Sequence, residues 1–367
     1  MTILITGGAG FLGQRLARRL LERGGAEEIV LVDQVPAPDF GDGRVRAVVA
    51  DIADPLALKT LVTPDVALVF HLASVVSGAA EADFDLGMRI NLDASRLLLE
   101  LCRRAGHRPR VVFTSSVAVY GGALPPVVTD DTPLNPRSSY GTQKAIGELL
   151  LADHTRKGFV DGRILRLPTI SVRPGAPNKA ASSFASGLIR EPLNGLPTTC
   201  PVGLDLRLWL LSPRRAVDSL IAGAELPPEA FGERRALNLP GLSVSVGEML
   251  AALERAGGKA AVDLVRHERD PAVEAIVGGW PAAWDNRRAE ALGLKPDADF
   301  DAIVRAYVED DLARASVFSP SSDQGILPPT SRGGHEPAER SARHREENAA
   351  AAAGRAPRAA AAGAGQE

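Results

Sequence analysis

The sequence predicts an α/β protein: a doubly wound parallel sheet with a smaller C-terminal lobe and a disordered tail. Three observations carry this reading. Short Val/Ile/Leu-rich runs without strict alternation, such as TILIT, IVLVD, VALVFHLA and RVVFTSS, read as strands covered on both faces. Amphipathic segments of helical length separate them, and strands that alternate with helices build a parallel sheet. The turn TGGAGFLG follows the first run, where the first strand of a Rossmann-type sheet meets its first helix.

Taken in order, TILIT leads into LGQRLARRLLERG, whose Leu12, Leu16 and Leu20 share one helical face. IVLVD ends at Asp33, VRAVVAD at Asp51, and VALVFHLA reaches Ser74 within HLAS. The long segment DLGMRINLDASRLLLELCRRAG reads as one helix, RVVFTSS as the fifth strand, SYGTQKAIGELLLADHTRKG as a second long helix and GRILRLP as a sixth strand. These elements define a dinucleotide-binding domain over 1–168. From 169 the pattern loosens into Gly/Pro-rich loops with scattered helices, a substrate-binding lobe over 169–318 that is partly interleaved with the sheet. Residues 319–367 carry almost no large apolar side chain after Leu327 and cannot bury enough surface to offset ordering entropy, so they read as disordered, with no function assigned.

Composition narrows the function classes. The chain has 367 residues, 45% of them hydrophobic, enough for a full core. A net charge of −3 gives no reservoir for gripping phosphate backbones or anionic lipid, so no nucleic-acid partner is expected. No apolar run approaches the ~20 residues that span a bilayer, and no leader pattern follows Met1. Two cysteines, Cys102 and Cys200, are too few for a disulfide framework and suit a reducing compartment; a soluble, cytoplasmic protein is the expectation. The six histidines show no ligand spacing, so no metal is expected.

The glycine turn carries the cofactor argument. Gly7, Gly10 and Gly13 allow a tight turn, and with Phe11 and Leu12 they open a helix N-terminus onto which a pyrophosphate can settle. Asp33 stands twenty residues past Gly13, where a carboxylate can accept hydrogen bonds from a ribose diol and repel a 2′-phosphate, so NAD is favoured over NADP. Asp51 and Ile52 close the third strand, where an acid can meet the adenine amino group and an apolar neighbour can flank the ring. Leu72, Ala73 and Ser74 follow the fourth strand along the same path.

The reactive residues lie further on. Ser115 and Ser116 end the fifth strand, and Tyr140 and Lys144 stand four apart, on one helical face. Lowering a phenol from ~10 to about 7 requires roughly 4 kcal/mol. An ammonium ~4 Å away at an effective dielectric of about 20 supplies that much. The phenolate can then take the proton of a substrate hydroxyl during hydride transfer, with a serine holding the oxygen.

Together TGGAGFLG, Asp33, HLAS, SSVAVYG and YGTQK resemble the extended short-chain dehydrogenase/reductase superfamily over roughly residues 1 to 315. The resemblance implies that Ser116, rather than Ser115, is the catalytic serine and that Tyr140 and Lys144 are the acid/base pair. It also places Asn91 at a polar position near the site. A dehydratase would need an Asp-Glu pair where Val117 and Ala118 stand. The segment RLPTISVRPGAPNKAASSFASGLIREPLNG is similar to NAD-dependent sugar-acid dehydrogenases of the superfamily, which implies a small sugar acid as substrate. Asn178 and Ser183 supply small donors for it, and Arg207 resembles the family arginine that contacts an anionic group. A nucleotide-sugar epimerase, an L-threonine dehydrogenase-like enzyme and a non-enzymatic NAD sensor are the alternatives. By analogy the two long helices form a homodimer interface.

Overall fold

Strands flanked by apolar side chains on both faces need a helical layer on each side. A computed structural model describes residues 1–25 and 27–312. Its strands are β1 (Thr2–Thr6), β2 (Glu28–Asp33), β3 (Val45–Val49), β4 (Val66–His71), β5 (Arg110–Ser116), β6 (Asp161–Leu167), β7 (Thr169–Ile170), β8 (Thr198–Cys200), β9 (Arg207–Leu211), β10 (Ala236–Asn238), β11 (Leu242–Ser245) and β12 (Val265–His267). Seven of them form one parallel sheet in the order β10-β6-β5-β4-β1-β2-β3. The order reverses beside β1, so a crevice opens at the carboxyl ends of β1 and β4, the switch point of such a sheet.

Leu16 and Ala17 of the first helix, Phe11–Glu22, pack with Leu31, Val112 and Leu165 on one face, joined by Leu220 from the helix Pro213–Glu225. On the other face Val30, Val69 and Val111 meet Leu98 and Cys102 of the helix Ala94–Ala105 and Leu151 of the helix Ser139–Arg156. The chain beyond 169 therefore returns to the first sheet, chiefly with the helix Pro213–Glu225 and with β10. Its remaining core gathers Leu188, Met249, Leu253, Phe300 and Ile303 around a β11-β9-β7 sheet and a β12-β8 pair. The helix Val246–Val262 begins with a capping box between Ser245 and Glu248.

One element differs from the sequence reading, and one expected strand carries an unexpected burden of buried charge. The long helix is three pieces: Phe84–Gly87, a π-helical stretch Met88–Asp93, and Ala94–Ala105, closed by Gly106 at φ 75°. The wider π turn points Asn91 inward. β6 carries charge in a fully buried strand. Arg163, fully buried, pairs with Asp161 at 2.6 Å, and Arg166 pairs with Glu148 at 2.7 Å, so each charge has its partner beside it. The disorder expectation for 319–367 falls outside the described residues. No helix among the described residues is long and apolar enough to cross a membrane.

Candidate active site

The turn after β1 approaches other backbone so closely that side chains are excluded. Gly7 has φ 71°, and a Cβ there would lie 2.8 Å from the Ala73 nitrogen; one at Gly13 would lie 2.4 Å from the Gly7 carbonyl oxygen. Gly10 caps the first helix without a side-chain bond, and the first intrahelical bond runs from Gln14 N to Gly10 O at 2.9 Å. The amides of Phe11, Leu12 and Gly13 are thereby left for an anion. Asp33 overhangs the turn, its Oδ2 accepting from Ala9 N at 3.1 Å and its Oδ1 from Gln34 N at 2.8 Å.

From Asp33 a cleft of about 520 Å3 runs across the turn to Tyr140. It brings together Gly7, the stretch Gly10 to Gly13, Asp33, Ile52, Leu72 to Ser74, Ser116, Tyr140, Lys144 and Asn178. Four other expected residues do not line it. Asp51 turns aside to an ion pair with Arg89 at 2.6 Å; burial opposes its ionisation, but the hydrogen bonds from Arg89, Ala53 N and Gln34, with the Arg89 charge, together outweigh it and hold the carboxyl below its usual range. Asn91 lies behind the wall, accepting from Ser74 Oγ and Val75 N while donating to Val75 O and Gln143 Oε1, so it fixes the loop after β4. The Ser183 hydroxyl accepts from Asn178 N, and its neighbour Ser182 lines the cleft instead. Arg207 is exposed at the start of β9, bonded to Ser243 and paired with Glu248 at 3.1 Å; strand pairing with β11 carries it away from the crevice.

Tyr140, Ser116 and Lys144 converge at the inner end. Burial pushes the Tyr140 phenol above its ordinary pKa, against the pull of the Ser116 and Ser74 hydroxyls that face it. The sequence expectation that Lys144 alone lowers the phenol to about 7 is therefore not met. Lys144 donates to Thr114 O at 2.9 Å and stands 5.6 Å from the centre of the Tyr140 ring. Its own pKa is pushed down to about 7 by burial, which the Glu148 carboxylate partly opposes. Ser115 is engaged elsewhere, donating to Glu148, which separates it from Ser116.

Behind this site His71 joins Thr6 Oγ1 at 2.7 Å through Nδ1 and Ser95 Oγ at 2.8 Å through Nε2. The Ser95 proton goes to Asn91 O, so Nε2 carries the imidazole hydrogen and Nδ1 accepts from Thr6. Burial and nearby Lys144 push His71 down to about 3, so the ring stays neutral. Thr6 Oγ1 in turn accepts from Ala73 N at 3.2 Å, tying the cleft loop to β1.

The sequence profile of the NAD dependent epimerase/dehydratase family matches residues 3–211. The chain belongs to that family. It is 61% identical over 319 residues to a D-erythronate dehydrogenase of Cupriavidus necator, covering 84% of this chain and 98% of that one. It is 45% identical over 315 residues to a D-erythronate dehydrogenase of Haemophilus influenzae, covering 85% and 100%. A solved structure described as the nucleoside-diphosphate-sugar epimerase from Agrobacterium tumefaciens superposes with a TM-score of 0.80 at 44% identity, over 85% of this chain and 95% of that one.

This member of the epimerase/dehydratase family is an NAD-dependent oxidoreductase. The cleft fits the cofactor on its own chemistry: a glycine turn in which a Cβ at Gly7 or Gly13 would meet backbone, the N-terminus of the first helix and, at the far end, one carboxylate among the described residues. Sequence reasoning passed over Arg173 and took Trp280 for packing, yet both stand in the cleft wall. Arg173 follows β7 at its carboxyl end, and that placement was the available signal. Trp280 reaches the wall only because the chain folds back from the second half.

Proposed function

We propose that the protein oxidises the 2-hydroxyl of D-erythronate to 2-dehydro-D-erythronate with NAD. One observation carries the reading: Ser116, Tyr140 and Lys144 meet at the end of a dinucleotide cleft in a chain 61% identical to a D-erythronate dehydrogenase. Ser116 holds the substrate oxygen, and Tyr140 takes its proton as the C=O bond forms. Lys144, fixed on Thr114 O, supplies positive charge beside the phenol. Bound NAD supplies the acceptor for the hydride that leaves the carbinol carbon with the C–H electron pair. When NAD binds, Asp33 would accept from the adenosine ribose, Ile52 would flank the adenine, and the amides of Phe11, Leu12 and Gly13 would take the pyrophosphate, with Leu72, Ala73 and Ser74 along the cleft wall beside them. Asn91 acts through the loop it holds, and Asn178 offers a polar contact to the substrate.

A homodimer accords with Leu149, 68% exposed on the helix Ser139–Arg156, and Phe84, 58% exposed on a neighbouring helix. Buried free thiols at Cys102 and Cys200 suit a cytoplasmic setting. The test is NADH formation by purified protein given NAD with D-erythronate, L-threonine or a UDP-hexose. The reading expects NADH with D-erythronate and none with the nucleotide sugar. Inactivity on every sugar acid, together with interconversion of a UDP-hexose without net NADH, would favour an epimerase.

A further inference from the structure

We propose that Arg173 binds the carboxylate of the substrate, with Asn178 holding its guanidinium in place. The proposal rests on the sugar-acid reading above and deepens it. A short acid brings a full negative charge into the cleft and needs a cation there. The cleft wall offers two, Lys144 and Arg173. Lys144 is committed to Thr114 O beneath the reacting tyrosine. Arg173 has no carboxylate partner among the described residues: its Nη2 donates to Asn178 Oδ1 at 3.0 Å, and its guanidinium carbon lies 5.9 Å from the centre of the Phe11 ring. Its other N–H groups leave the fork geometry that a carboxylate accepts.

The backbone beneath is fixed on both sides. Arg173 N donates to Ser186 Oγ at 3.0 Å, and Arg173 O accepts from Arg190 Nη1 at 2.8 Å. Burial, with Arg190 close by, pushes the Arg173 guanidinium down to about 10. It remains a cation at neutral pH, and a bound anion relieves what burial costs it. Among the described residues Asp33, at the adenosine end, is the only acidic side chain on the cleft wall, so none of these residues in the wall repels a carboxylate beside Arg173. Arg207, by contrast, already has Glu248.

Because Arg173 also borders Phe11, the cofactor pyrophosphate is the competing anion, and the experiment separates the two. Arg173→Met, Arg173→Lys and wild type are compared for KM with D-erythronate, affinity for the neutral analogue D-erythronamide, and NAD Kd by fluorescence titration. The expected result is a rise in KM for D-erythronate of roughly 30-fold or more in Arg173→Met. Partial recovery is expected in Arg173→Lys, with NAD Kd within a few-fold and D-erythronamide affinity unchanged. A raised NAD Kd with unchanged KM for the acid would assign Arg173 to the pyrophosphate and overturn the proposal; so would unchanged values of both. NAD binding by each variant reports that it has folded, and Arg173→Lys carries the comparison should the methionine variant not fold. Wild-type inactivity on every short sugar acid would remove the sugar-acid reading itself, and this proposal with it.

Discussion

Tyr140 occupies a place that makes its ionisation harder, because burial raises its pKa while Ser116 and Ser74 pull the other way. A base in that setting depends on added positive charge, which the oxidised cofactor provides throughout and Lys144 provides only while protonated, below about 7. Oxidation should therefore speed up as pH rises through neutrality, and Tyr140→Phe should lower turnover by at least ~100-fold with NAD Kd within a few-fold. Steady-state rates with a parallel NAD titration check both; near-wild-type turnover in the variant would remove Tyr140 from the chemistry. Lys144 gives a stability prediction. Its folded pKa of about 7 lies below the ordinary 10.5, so between those values the unfolded chain holds a proton that the folded protein lacks. Stability from this group therefore rises with pH across that window, by at most about 1.4 kcal/mol per pH unit, and is flat below it. Denaturant titrations from pH 6 to 10 should show this rise in wild type and not in Lys144→Met; parallel curves would contradict a buried, depressed lysine.

The glycine turn is the element most readable in sequence, since its spacing and Asp33 reflect one local geometry within a strand-turn-helix unit. Gly13→Ala would push a Cβ to 2.4 Å from the Gly7 carbonyl and 2.8 Å from the Gly8 Cα, both backbone atoms that cannot swing aside. The variant should lose about 1–3 kcal/mol of stability and bind NAD at least ~10-fold more weakly. A thermal melt and an NAD titration measure these, and an unchanged Kd would show that the turn tolerates the methyl group. Other elements were readable only in part. DLGMRINLDASRLLLELCRRAG looks helical throughout because π and α segments share propensities and nearly share a period; the Asn91 contacts to Val75 and Gln143 accompany the wider turn. GRILRLP looked like an ordinary strand; Asp161, two residues before Arg163 on the same strand face, was a local signal, but nothing local announced Glu148 as the partner of Arg166.

At the scale of the molecule, six strands of the parallel sheet could be read from runs of apolar residues, whereas the seventh, β10, and the route of the second half could not. β10, the helix Pro213–Glu225 and Trp280 reach the first sheet or the cleft through long-range packing that has no sequence period. That is why Arg207 looked like the anion contact: its pairing with Glu248 depends on how β9 and β11 align, and so does its distance from the cleft. The exposed Leu149 makes a whole-molecule prediction: the protein should elute at dimer mass by light scattering, and Leu149→Glu should shift it toward monomer. A wild-type monomer at micromolar concentration would contradict the proposed dimer. The central claim is that this cleft removes hydrogen from the carbon beside a carboxylate. It is tested most directly with D-erythronate deuterated at C2, turned over with NAD and followed by NMR. The account predicts that the deuterium appears on NADH in step with a C2 ketone; deuterium kept in the carbon product, without NADH, would contradict it.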